Sequence, residues 1–142
     1  MKILPVIVIV LLTQSGLQAQ KILASAVPTS VRSAVDKSYG EAKSLSWEKE
    51  NENYEAEFQW KGAEYSAVYD AAGNLVETEV VIALIDLPAS AVKYLGEHHS
   101  NEKIKEAAKI TTAKGIVTFE AEVKGSDLIF DESGKFLREV VE

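Results

Sequence analysis

The chain has 142 residues, 46% of them hydrophobic and 26% charged, with a formal net charge of -7 at pH 7. That is the composition of a folded globular protein, and its acidic balance lacks the Lys/Arg footprint that nucleic-acid phosphates require. With no cysteine in the sequence, neither a disulfide framework nor a thiolate nucleophile exists, and apolar burial must carry the stability.

Met1-Lys2 is followed by an apolar run over residues 3–12, a polar stretch over 13–16, and Leu17-Gln18-Ala19 with a small residue at its end. This reads as a secretory signal peptide over residues 1–19. Ten apolar residues fall short of the roughly 20 that cross a bilayer as a helix. The expected mature protein therefore starts at Gln20, is exported to the periplasm or secreted, and has no membrane anchor. Residues 20–142 are expected to form one domain.

Residues 20–26 read as a short leader or first strand. Pro28 suits the first turn of a helix, and Val27, Val31, Ala34, Val35 and Tyr39 recur at helical spacing, which predicts a helix over 28–39 closed by Gly40 in a left-handed cap. From Lys43 the period changes to two, predicting a strand over 43–50. In the next strand Tyr54, Ala56, Phe58 and Trp60 share one face, with Glu55, Glu57 and Gln59 on the other. Strands over 63–70 and 75–84 follow, separated by a turn at Asp70-Ala71-Ala72-Gly73.

A second Pro-led helix is expected over 88–98. Residues 102–111 have high helix propensity but lie where the first half has a strand, and a strand is expected there because tertiary context overrides propensities of tenths of a kcal/mol per residue. Val117, Phe119, Ala121 and Val123 then alternate with Thr118, Glu120, Glu122 and Lys124, and strands near 126–131 and 135–141 complete the chain.

The strand-turn-strand cassette is written twice. Tyr54-Glu55-Ala56-Glu57-Phe58, Lys61-Gly62 and Tyr69-Asp70 through Gly73 are matched by Phe119-Glu120-Ala121-Glu122-Val123, Lys124-Gly125 and Phe130-Asp131 through Gly134. A period of about 60 residues exceeds the roughly 20 to 50 of solenoids. The expected fold class is therefore α+β, a tandem repeat (about 26–84 and 87–141) of helix plus four-stranded antiparallel sheet, α-β-β-β-β twice, with the helices on one face of the sheets.

These motifs resemble the PepSY-like, beta-lactamase-inhibitor-protein-like family of small exported bacterial proteins, over about residues 26–141. The resemblance implies the same tandem architecture, a periplasmic location and a role in binding or inhibiting other proteins. No catalytic residue comes with it. The absence of cysteines departs from the beta-lactamase inhibitor itself.

Glu55, Glu57, Glu120 and Glu122 are the candidate partner-binding residues. Each pair should stand about 7 Å apart on a polar strand face, where it could meet cations or a basic protein surface, or simply form a solvated face interleaved with Lys49, Lys61 and Lys124. His98 and His99, the only histidines, are adjacent and lack further ligands at metal spacing. Asp70 to Asn74 lacks the alternating acids and closing glutamate of a calcium loop. No Gly-x-Ser-x-Gly elbow, phosphate loop or His-Glu-x-x-His occurs. The expectation is an exported, non-catalytic module without cofactor or metal that binds a protein or peptide, the alternative being a periplasmic small-ligand carrier with a pocket between helices and sheet.

Overall fold

The structure is a computed structural model and describes residues 19–141. The expected signal peptide lies, Ala19 apart, outside the described residues. Nine strands, β1 (Gln20–Ile22), β2 (Lys43–Glu50), β3 (Asn53–Trp60), β4 (Ala63–Tyr69), β5 (Leu75–Ile82), β6 (Glu106–Thr112), β7 (Val117–Val123), β8 (Ser126–Asp131) and β9 (Phe136–Val141), form one sheet in chain order. Helix α1 (Thr29–Ser38) separates β1 from β2, and α2 (Ala89–His98) separates β5 from β6.

This corrects the expected α+β tandem of two four-stranded sheets. Strand β5 pairs antiparallel with β6, from Glu77 opposite Thr112 to Ile82 opposite Ala107, so the fold is mostly β, a single nine-stranded sheet with two α-helices among the described residues. The physical reason lies in the backbone. Ending a sheet at β5 and starting another at β6 would leave two rows of unpaired N–H and C=O groups, and pairing them satisfies both.

Local signals account for most element boundaries. Pro28 precedes α1, and its carbonyl accepts from the Val31 and Arg32 amides at 3.0 and 3.1 Å; Pro88 does the same for α2 through Ala91 and Val92 at 2.9 and 3.1 Å. The expected left-handed cap at Gly40 is displaced by one residue, since Glu41 takes the positive φ of 72°. The helix-prone segment becomes a strand from Glu106 onward, because Ala107, Ala108 and Ile110 are buried there, while residues 102–105 of the expected strand lie outside it.

Val31 and Val35 of α1 share a buried cluster with Trp47, Ala56, Phe58, Ala67 and Tyr69. Ala91 and Leu95 of α2 share another with Ala107, Ala121, Val123, Leu128 and Phe130. Tyr39 reaches over the first, its ring 4.7 Å from that of Phe58, and Tyr94 stacks on Phe136 at 4.5 Å in the second. The strand side chains of both clusters define the inner face of the sheet.

Asp70 and Asp131 close two turns alike. Asp70 Oδ1 accepts from the Ala72 and Asn74 amides, and Asp131 Oδ1 from those of Ser133 and Lys135, each at 2.9 Å. Hydrogen bonds, from the Asn74 side chain foremost in the first case and from Ser133 in the second, hold both carboxyls below the usual range. These carboxylates are thus spent on their own backbone.

Candidate functional site

Directly opposed residues in an antiparallel sheet point to the same face, so the register assigns the outer face strand by strand. Glu48 stands opposite Glu55, Glu55 opposite Val68, and Val68 opposite Glu77. Along the neighbouring row Glu57 faces Ser66, Ser66 faces Glu79, and Glu79 faces Ile110. Farther along, Ala108 faces Glu120, Glu106 faces Glu122 and Glu122 faces Asp127. The four sequence-predicted glutamates therefore share one face, Glu55 and Glu57 on β3, Glu120 and Glu122 on β7.

They do not share one environment. Glu57 is exposed, and its Oε2 accepts from Ser46 Oγ at 3.3 Å. Glu122 is half-buried and pairs with Lys105 Nζ at 3.0 Å. Glu55 is only 8% exposed. Its burial, opposed by a hydrogen bond from Ser66 and reinforced by Glu57, Glu48 and Glu79, pushes its carboxyl up to about 7. Glu120 goes further, to about 8, through burial and the charges of Glu79, Asp127, Glu122 and Glu106.

A solvated face interleaved with lysines does not describe Glu55 and Glu120, whereas Glu57 is exposed and Glu122 pairs with a lysine. Lys49 lies opposite Tyr54 on the inner face, its Nζ 5.5 Å from that ring, and Lys61 Nζ sits 4.1 Å from the Trp60 ring. The outer-face carboxylates instead lie beside Val68, Ile110 and Ile129, all buried. Burial disfavours the charged form of a carboxyl, and neighbouring anions add to that.

Sequence reasoning missed two members of this group, Glu77 and Glu79 of β5. Glu77 is 4% exposed, its Oε2 is buried without a hydrogen-bond partner, and burial together with Glu79, Glu55 and Glu50 raises it to about 7. Glu79 also reaches about 7, through burial and then Glu106, Asp127 and Glu57. The signal was present, since Glu77-Thr78-Glu79 has the same two-residue spacing as Glu55-Ala56-Glu57. Only the β5–β6 pairing places it in the middle of the sheet.

An open groove of about 370 Å³ runs over this face, lined among others by Ser46, Glu57, Ser66, Glu79 and Glu106. Beside Phe58, Tyr65 and Val81, its polar lining is mainly of hydroxyl and carboxyl groups, which hold protons or receive N–H donors. Among the described residues no group of three His, Cys, Asp or Glu side chains is arranged to hold a metal ion, and no helix is long and apolar enough to cross a membrane. His98 and His99 end α2, with their Nδ1 atoms 3.1 Å from the Tyr94 carbonyl oxygen and 2.9 Å from Glu102 Oε1 respectively.

The sequence matches no family model and no curated protein. Its fold is found in solved structures from Bacteroides. A protein from Bacteroides eggerthii, described as periplasmic, aligns with a TM-score of 0.74 at 18% identity over 80% of this chain and 87% of that one. A DUF2874 family protein from Bacteroides uniformis gives 0.72 at 17% identity over 80% and 88%. A BLIP-like protein from Bacteroides fragilis gives 0.66 at 24% identity over 80% and 84%. At these identities the likeness is one of fold, and the fold is the one that BLIP-like and DUF2874 proteins share.

Proposed function

We propose that the chain is an exported, non-catalytic binding module that holds a protein or peptide partner on the outer face of its sheet. The observation that carries this reading is the outer face itself. Both helices contribute their buried residues to the clusters on the inner face, while the outer face carries the groove and the carboxylates Glu55, Glu57, Glu120 and Glu122. The BLIP-like fold supports a protein as the partner. The periplasmic description of one fold neighbour and the leader-like sequence over residues 1–19 support export. The PepSY-like part of the resemblance rests on the sequence motifs alone.

The test is affinity capture from periplasmic extract with the full chain, followed by cross-linking and mass spectrometry. Cross-links from the partner are expected in β3–β7, on the outer face. A captured partner cross-linked only to α1 or α2 would overturn the assignment of the face, and no specific capture at any salt concentration would count against the module reading.

A further inference from the structure

Resting on that reading, we infer that the occupant of the outer face is an extended, lysine- and arginine-rich segment of the partner protein. Two independent observations lead there. The first is charge: Glu77, Glu79 and Glu120 have other carboxylates as charged neighbours, Glu55 and Glu50 about Glu77, Glu106, Asp127 and Glu57 about Glu79, and Glu79, Asp127, Glu122 and Glu106 about Glu120, and the register sets them on one face. The cations that the register places on this face are Lys21 on β1 opposite Glu48, Lys43 on β2 opposite the groove-lining Gln59, and Arg138 on β9 opposite Ile129, while Lys105 is engaged with Glu122; the register pairs none of them with Glu77, Glu79 or Glu120. The second is an unmet hydrogen bond. Glu77 Oε2 is buried without a partner amid Glu55, Glu79 and Glu50, so its desolvation is not offset by a hydrogen bond.

A cationic peptide in the groove supplies positive charge and N–H donors to Glu57, Glu79 and Glu106, which line it. The spacing also fits. Glu57/Glu55, Glu79/Glu77 and Glu122/Glu120 each repeat at two residues along their strands, about 7 Å, which is the repeat of alternate side chains in an extended guest. A guest cation favours the ionised carboxylates, so binding releases protons. Glu79, which lines the groove, faces Glu57 and Glu55 from β3, Ser66 from β4, Ile110 and Glu106 from β6, Glu120 from β7 and the more distant Asp127 of β8. With that carboxyl near 7, a guest that requires its ionised form binds about tenfold more tightly at pH 8 than at pH 6.

The experiment is calorimetric titration of the full chain with hexalysine and with hexaglutamate, at low and at physiological salt. Two triple variants with equal charge change are compared, E57Q/E79Q/E106Q on the outer face and E41Q/E97Q/E132Q away from it. Hexalysine should bind, hexaglutamate should not, and affinity should fall at least about tenfold in the first variant and stay near wild type in the second. No hexalysine binding, equal loss in both variants, or affinity that falls as pH rises from 6 to 8 overturns the inference. Should the outer-face variant unfold, amide shifts of the wild-type chain on adding hexalysine decide instead: shifts in β3–β7 support the site and shifts confined to α1 or α2 refute it. A captured partner whose binding ignores both salt and the outer-face variant would leave the module reading standing and this inference fallen.

Discussion

Gly73 lies against the first turn of α1 so closely that a Cβ built on it would stand 2.7 Å from the carbonyl oxygen of Ser30. Ser30 in turn donates from Oγ to the Ala71 carbonyl at 2.8 Å, and Ser90 makes the same bond to the Ser133 carbonyl at 2.5 Å. The β4–β5 turn and the helix are therefore fastened to each other through a contact that only glycine admits.

Gly73→Ala should accordingly destabilise the fold by roughly 1–3 kcal/mol, combining a φ of 87° with a backbone clash. Gly62→Ala, at φ 81° with nothing within 4 Å, carries the conformational penalty alone, about 1 kcal/mol. Urea denaturation of both variants checks this, and equal losses would show that the contact with Ser30 carries no weight.

The two faces of β3 should separate by mutation. Phe58 is 4% exposed within the first core cluster, and Phe58→Ala should cost about 3–5 kcal/mol. Glu57 is exposed on the opposite face, and Glu57→Ala should stay within about 0.5 kcal/mol. A larger loss at Glu57 than at Phe58 in chemical denaturation would reverse the assignment of the faces.

Stability should fall as pH rises from about 5 to 8.5. Glu55, Glu77 and Glu79 are raised from 4.5 to about 7 and Glu120 to about 8, so in this window the native state binds more protons than the unfolded chain and the slope of stability against pH is negative. The contribution is complete below about 4.5 and is lost as pH passes through 7 to 8. Thermal melts followed by circular dichroism should give a Tm that declines across that range, with a shallower decline in E77Q, which removes one of the titrating groups. A Tm that stays flat across that range would mean that these carboxyls are solvated and ionised in the native state.

The proposed export signal has a direct check. Intact mass of the protein recovered from the periplasm or medium should correspond to a chain beginning at Gln20. A mass that retains residues 1–12 would refute the assignment.

The sequence by itself determined the local geometry. The alternation of Tyr54, Ala56, Phe58 and Trp60 with Glu55, Glu57 and Gln59 is a period of two, and a slip of one residue would expose the whole apolar set while burying the glutamates. Strand, face and turn at Asp70 follow from neighbours a few residues apart, and so does the placing of Glu55, Glu57, Glu120 and Glu122 on polar strand faces. What only the tertiary structure decided is which strands meet. The pairing of Glu79 with Ile110 closes a loop that runs through α2, and no periodicity within β5 or β6 names its partner, because the backbone donors and acceptors at a strand edge are the same in every sequence. That single pairing turns two expected sheets into one and sets Glu77 and Glu79 between flanking strands. It also removes water from carboxylates that the alternation alone would leave solvated, since desolvation depends on what stands on either side of a strand.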